Sequence, residues 1–223
     1  MTTRPQLPSP LPAAIVADFA IPGIDQIHGV TFDGTHVWFA AGPDGDLLCV
    51  DPKTGEVVRR LGLTGCESGT AWDGRHLWQI RRERIDQIDR ETGKTLHSIP
   101  TPDPHPSGMA WAAGHLWVGS YLGRRILKVD PKTGKVLKTL ASDRLVTGVT
   151  WAGGELWHGT YPERAEDVEP GELRQIDPET GEVRRRVHLP AGTRISGTEF
   201  DGKDRIWLGS RTTKDTLRAV RKP

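Results

Sequence analysis

Two cysteines, two methionines and two tyrosines are all that the 223 residues hold of each. With only Cys49 and Cys66, in different contexts, no disulfide framework is expected. Neither sign of charge is in surplus: 30 Lys and Arg stand against 29 Asp and Glu, a net charge of +1. A nucleic-acid face needs clustered positive excess, so no nucleic-acid partner is expected. The short runs Arg59-Arg60 and Arg184-Arg185-Arg186 read as solvated strand edges that discourage aggregation. No apolar run approaches the length of a membrane span, which removes the membrane as a partner. The opening "MTTRPQLPSPLPAA" lacks the hydrophobic stretch of a secretory signal. Its prolines read as a disordered lead-in over residues 1–12, and a cytoplasmic, monomeric protein is expected. Also missing are G-x-S-x-G, a phosphate loop and a dinucleotide fingerprint, so serine-hydrolase, NTPase and dehydrogenase chemistry fall away.

What the chain does have is one phrase written five times. "HGVTFDGTHVW" from His28 returns as "SGTAWDGRHLW" from Ser68, "SGMAWAAGHLW" from Ser107, "TGVTWAGGELW" from Thr147 and "SGTEFDGKDRIW" from Ser196. A second phrase, Asp-Pro-x-Thr-Gly or a close variant, follows the first four copies at Asp51, Asp89, Asp130 and Asp177. All eight tryptophans fall in two repeat columns. Short alternating runs, turns and a period near forty residues are the mark of a β-propeller with one four-stranded blade per repeat. Asp-Gly and Gly-Gly supply the positive-φ positions of tight hairpins, and the Asp-Pro-x-Thr-Gly turn leads into each outer strand. The fifth copy stops after three strands. Its missing outer strand is expected from the other end of the chain, where "AAIVADFAIPG" from Ala13 resembles the outer-strand tails. The predicted fold is therefore all-β: one five-bladed propeller over residues 13–223, with blades starting near 28, 68, 107, 147 and 196, the last closed by the N-terminal strand.

The tandem G-x-x-[WF]-D-G-x-x-[LV]-W and D-P-x-T-G-[EK]-V phrases resemble a group of small bacterial propellers. It includes five-bladed glutaminyl-peptide cyclotransferases, streptogramin B lyases and gluconolactonase-like proteins. The likeness spans nearly the whole chain and implies the propeller architecture. The cyclotransferases are nearest by blade number. Their first blade reads T-Q-G-L-x-F, with a glutamate just after the second-strand aromatic. Here that stretch is "IHGVTFDGTHVWFAA", with Phe39 in the glutamate's place, and no N-E-L-E segment follows. Their catalytic motifs are not matched. The lyases share glycine-led blade starts, some preceded by histidine, on seven blades; no motif carries over their Mg²⁺-dependent chemistry.

Candidate site residues come from places where one repeat departs from the other four, because the repeat columns record what the fold needs. Before the anchoring glycine stand Ser68, Ser107, Thr147 and Ser196, but His28 in the first blade. Fivefold arrangement gathers this column at the mouth of the central channel. The hydroxyls can serve as local backbone caps, whereas histidine is a poor cap and a good acid, base or ligand. Two residues past the glycine, Glu199 stands where the other blades carry Thr or Ala. Two residues before it, Glu67 replaces Ile, Val or Pro; after the second-strand tryptophan, His158 replaces Phe, Gln, Val or Leu. The rim loops add Arg81, Arg82, Tyr121, Arg124, Tyr161, Arg164 and Arg211, and His105 enters the third blade beside them. The loop "YPERAEDVEPGE" is an insertion absent from the other copies.

These residues point to an enzyme acting on a small molecule or a peptide terminus in a polar pocket at the channel mouth. His28, with Glu67 or Glu199, is expected to carry acid–base chemistry of lyase, hydrolase or cyclisation type. Ser68, His105, Ser107, Tyr121, Thr147, His158, Tyr161, Ser196 and Arg211 are expected to bind the ligand, with an anionic group suiting the arginines. No cofactor is required; a divalent metal ion held by His28, His105 and Glu67 is the metal-assisted form of the same reading. The alternative is a non-catalytic propeller that binds a peptide or protein on its rim.

Overall fold

Each repeat becomes a blade because its sequence alternates short extended runs with turns that only a few residues tolerate. The computed structural model describes residues 7–41, 45–161, 170–211 and 215–223, and the backbone alone at residue 211. In the third blade the strands Pro106–Ala112, His115–Ser120, Arg125–Val129 and Val136–Ala141 lie in that order from the centre outward. Ala112 pairs with His115, leaving the two-residue turn Ala113-Gly114 with φ of 48° and 77°. Both values are positive, as a hairpin that follows the strand twist requires. The other blades repeat the plan around the inner strands Ile27–Phe32, Cys66–Trp72, Leu145–Ala152 and Arg194–Phe200. Among the described residues there are strands and turns and no helix, so the fold is an all-β, five-bladed propeller.

Local side-chain bonds explain the repeated turn residues. The Asp33 carboxylate accepts from the backbone N–H groups of Thr35 and His36 and from the Trp38 indole at 2.8 Å. Asp73 does the same for Arg75, His76 and Trp78. The Asp-Gly pair thus sets the turn and anchors the tryptophan of the next strand. In the last blade an extra residue lengthens the turn, and the Trp207 indole nitrogen is buried without a partner. In the second repeated turn, the N–H of Gly55, Gly93, Gly134 and Gly181 donates to the carbonyl of the turn's Asp at 2.8–2.9 Å.

Blades adhere through the two aromatic columns. Trp111 stacks on Trp78 and Trp151 on Trp117, each at 5.8 Å between ring centres, always across a blade boundary. Burying one such ring removes roughly 150–250 Å² from water, a gross stabilisation of roughly 4–6 kcal/mol.

The ring closes as the sequence suggested. Ile15–Phe19 pairs antiparallel with Asp215–Arg221, and Phe19 stacks on Trp207 while lying against Gly55 of the first blade. Arg218 reinforces the seam by pairing with Asp18 at 2.6 Å. The lead-in differs from expectation. Leu11–Pro12 pairs in parallel with Val187 and His188 on the outer edge of the fourth blade, and Arg186 donates to the Pro8 carbonyl. Proline fits there because an edge strand leaves one side of its backbone unpaired.

At the centre the anchoring glycines take their meaning. A Cβ on Gly29, Gly69, Gly108, Gly148 or Gly197 would lie between 2.3 and 2.6 Å from its nearest neighbour, a backbone atom of the next blade in each case. Five backbones packed against one another leave no room for a side chain where the blades meet. Only glycine permits that approach.

Candidate functional site

The residues just before this glycine ring form the wall of a bowl. Its cavity of about 470 Å³ is lined by His28, Glu67, Ser68, His105, Ser107, Thr147 and Ser196. Arg82, Tyr121, Tyr161 and Asp215 complete it from the ends of the second and third strands and the turns between them. Every blade contributes. Nine of the predicted residues are therefore brought together: His28, Glu67, Ser68, His105, Ser107, Tyr121, Thr147, Tyr161 and Ser196.

The hydroxyls of the column have structural work. Ser68 Oγ donates to the carbonyl of Pro106 at 2.9 Å, Ser107 Oγ to Val146 at 2.8 Å and Ser196 Oγ to Ile27 at 2.5 Å. In each case the acceptor stands two residues before the glycine of the next blade. These serines clasp neighbouring blades, so their oxygens are committed before a ligand arrives. Thr147 Oγ1 occupies the same column, buried and without a hydrogen-bond partner. His28 replaces a clasp with an imidazole, which is itself engaged with protein.

Two predicted residues are not in the bowl. Glu199 lies on the inner strand two residues beyond Gly197, past the constriction, where it accepts from Thr150 Oγ1 at 3.3 Å. Protein covers most of its surface. That confinement pushes its carboxyl well above the usual range, and the single bond from Thr150 only partly opposes it. The glycine ring thus removes Glu199 as a partner of His28. His158 is 1% exposed and lines a different cavity of about 590 Å³ beside Asp143 and Arg174. Burial first, and then the Arg174 guanidinium, push it down to about 4. Its Nδ1 bonds the Gly159 carbonyl at 3.1 Å. It is a neutral core histidine because the second strand's inward face holds it between blades. The side chain of Arg211 and the insertion at 162–169, with Arg164, lie outside the described residues.

A buried ionic network stands next to His158. Arg174 and Glu172, each 1% exposed, pair with one another; Arg174 also binds Asp143, while Arg186 and His188 bind Glu172. Burial raises the Glu172 pKa, but its cationic partners outweigh it and hold the carboxyl down at about 2.

Positioning groups surround the bowl. Asp215, 3% exposed, accepts from the Ile27 N–H at 2.9 Å and so fixes the strand entry beside His28. Sequence reasoning passed over it; the available signal was an acid at a third-strand start where two other blades have Gly45 and Gly171. Asp103, 4% exposed, binds Arg125 at 2.6 Å and the His105 N–H at 2.9 Å, and the His105 carbonyl accepts from the Tyr121 N–H. Burial works against the Asp103 carboxylate, yet Arg125 and these bonds keep its pKa below the usual value. Tyr121 and Tyr161 meet edge to face at 6.3 Å, with Arg194 over the Tyr161 ring. Arg82 opens the two-residue turn between Leu77–Arg81 and Arg84–Ile88 with φ of 53°. An arginine in that left-handed conformation costs about 1–3 kcal/mol, and such strain concentrates at functional sites.

His28, His105 and Glu67 share the bowl but not a coordination sphere. Among the described residues no three His, Cys, Asp or Glu side chains are grouped to hold a metal ion. They come from the entries of three successive blades, and sharing a cavity does not make them a donor set. Cys49 and Cys66 are free and buried; burial pushes both thiols up to about 12 and leaves them unreactive.

No family model matches the chain. It is 32% identical over 108 residues to regucalcin from Xenopus laevis, a stretch covering 43% of this chain and 36% of that protein. The chain thus spans about a third of the length of the curated relative it matches. Among solved structures, glutaminyl cyclase from Myxococcus xanthus superposes with a TM-score of 0.74 at 16% identity, covering 96% of this chain and all of that one. Hydrazine synthase from Kuenenia stuttgartiensis gives 0.53 at 15% identity, covering 86% and 58%. At these identities the structures establish the fold alone.

Proposed function

We propose that this chain is a small propeller enzyme whose bowl binds a small molecule or a peptide terminus and performs acid–base chemistry on it. One observation carries the reading. Three blade entries deliver His28, Glu67 and His105, and a turn between second and third strands delivers Arg82, into a single concave cavity, whereas Ser68, Ser107 and Ser196 use the His28 column for structural clasps. His28 is the proton-transfer group. Glu67 is its carboxylate neighbour, since Gly29 packs directly on Ser68, the residue after Glu67. Tyr121 and Tyr161, set edge to face, supply an aromatic wall. A cavity of about 470 Å³ suits a ligand of small-molecule size. Two neighbours in the comparisons bear enzyme names, which agrees with an enzymatic use of the fold.

The test is a turnover screen across lactone hydrolysis, lyase elimination and N-terminal cyclisation, run on wild type and His28→Ser. Turnover by wild type that disappears in a folded His28→Ser supports the proposal. Equal turnover in both, or none in any class, overturns it.

A further inference from the structure

Two oppositely charged side chains of the bowl have no ion-pair partner among the described residues. Arg81 is fully used, donating to the Thr64 carbonyl and pairing with Asp86 at 3.2 Å. Arg125, Arg174 and Arg218 each hold a carboxylate as well. Arg82, next in sequence to Arg81, bonds to no described residue although it is exposed and lines the bowl. Glu67 is also exposed, lines the same bowl and pairs with no described cation. The two face one cavity without meeting each other. Fold stability does not explain Arg82, because its left-handed backbone sits in a turn where glycine or asparagine is the unstrained choice.

Opposite charges kept separate across a small concave site suit a ligand that carries both signs at its two ends. We infer that the bowl takes a small zwitterion, a free amino acid or short peptide, with its ammonium on Glu67 and its carboxylate on Arg82. The inference rests on the reading of the bowl as a ligand site. Guanidinium matches carboxylate by two parallel N–H donors, and a carboxylate accepts two or more N–H bonds from an ammonium. The edge-to-face pair Tyr121 and Tyr161, from the third and fourth blades, lines the same cavity. The ammonium on Glu67 lies beside His28, where a proton can be taken from it or from an adjacent atom.

Isothermal titration calorimetry with one dipeptide in three forms tests this: free, N-acetylated and C-amidated. The free form is expected to bind wild type, and either cap to weaken binding at least about fivefold. In Glu67→Gln the penalty for N-acetylation should vanish while that for amidation stays; Arg82→Gln should show the reverse. The capped peptides give the answer on wild type even if a variant fails to fold. No binding of the free form, caps without effect, or variants that weaken all three forms equally would overturn the inference. A His28→Ser protein that still binds with the same cap pattern, beside a wild type with no turnover, would sink the enzyme reading and leave this one standing.

Discussion

Ser196 Oγ and the Ile27 carbonyl lie 2.5 Å apart, joining the last blade to the first at the floor of the bowl. Two other blade boundaries carry the same bond, and His28 interrupts the series. Replacing Ser196 by Ala should cost about 1 kcal/mol, the net value of one such hydrogen bond. His28→Ser restores the clasp-forming residue, so its melting temperature should match or exceed that of wild type while turnover is lost. Thermal melts alongside kinetics read both. A large loss of stability in His28→Ser would mean that the imidazole holds the ring together.

Glu199 is expected to be a burden on the fold. Its folded pKa is raised, so the folded state holds a proton that the unfolded chain releases above pH 4.5. Stability from this group is therefore lost as pH rises. Glu199→Gln should be more stable than wild type at pH 7, and the gain should shrink as pH falls toward 4.5. Catalysis should be unaffected, because the glycine ring separates Glu199 from the bowl. Denaturant titrations at several pH values would show it; a gain independent of pH contradicts the assignment.

The network around Glu172 works in the opposite direction. A carboxyl held at about 2 contributes stability above the ordinary value of 4.5 and loses it as pH falls toward 2. His158, held at about 4, must stay neutral, so its share is lost from pH 6.5 down to 4. Acid unfolding should begin below pH 6.5 and steepen below 4.5, with about 3 kcal/mol at stake in Glu172. Glu172→Gln leaves Arg174 buried with less compensation and should cost about 3–5 kcal/mol near neutrality. A Glu172→Gln protein as stable as wild type at pH 7 would show that the network contributes nothing.

Gly108→Ala tests the centre. The new methyl would sit 2.3 Å from the Val149 backbone nitrogen, and backbone in a closed ring cannot step aside. The loss should exceed the roughly 1–3 kcal/mol typical of overpacking a core. Gly192→Ala, where a Cβ meets nothing within 4 Å but φ is 75°, should cost about 1 kcal/mol from strain alone. Similar effects at both positions would mean that the ring tolerates expansion.

Repeats made the architecture readable. Five copies of one phrase revealed the blades, the missing outer strand and the aromatic columns, because every copy reports the same local physics. Departures from the repeat pointed to His28 and Glu67, which line the bowl, and equally to Glu199 and His158, which do not. A column says that a residue is unusual, not which side of a constriction it occupies. The constriction depends on distances between strands some forty residues apart, and glycine in a turn-rich sequence gives no hint of it. Ser68, Ser107 and Ser196 show the same limit: the residue type suggested a cap, and only geometry showed that the capped carbonyl belongs to the next blade. Arg82 was visible as a rim arginine; its strain and its lack of a partner among the described residues were not.

The ring of glycines has a kinetic consequence. Backbones packed this closely narrow the floor of the bowl, so a ligand that enters from the rim leaves by the same doorway. Product still in place excludes the next substrate molecule, and inhibition by product should therefore be competitive, with no route for one to depart as the other arrives. Turnover in such a site is limited by how quickly a single opening clears.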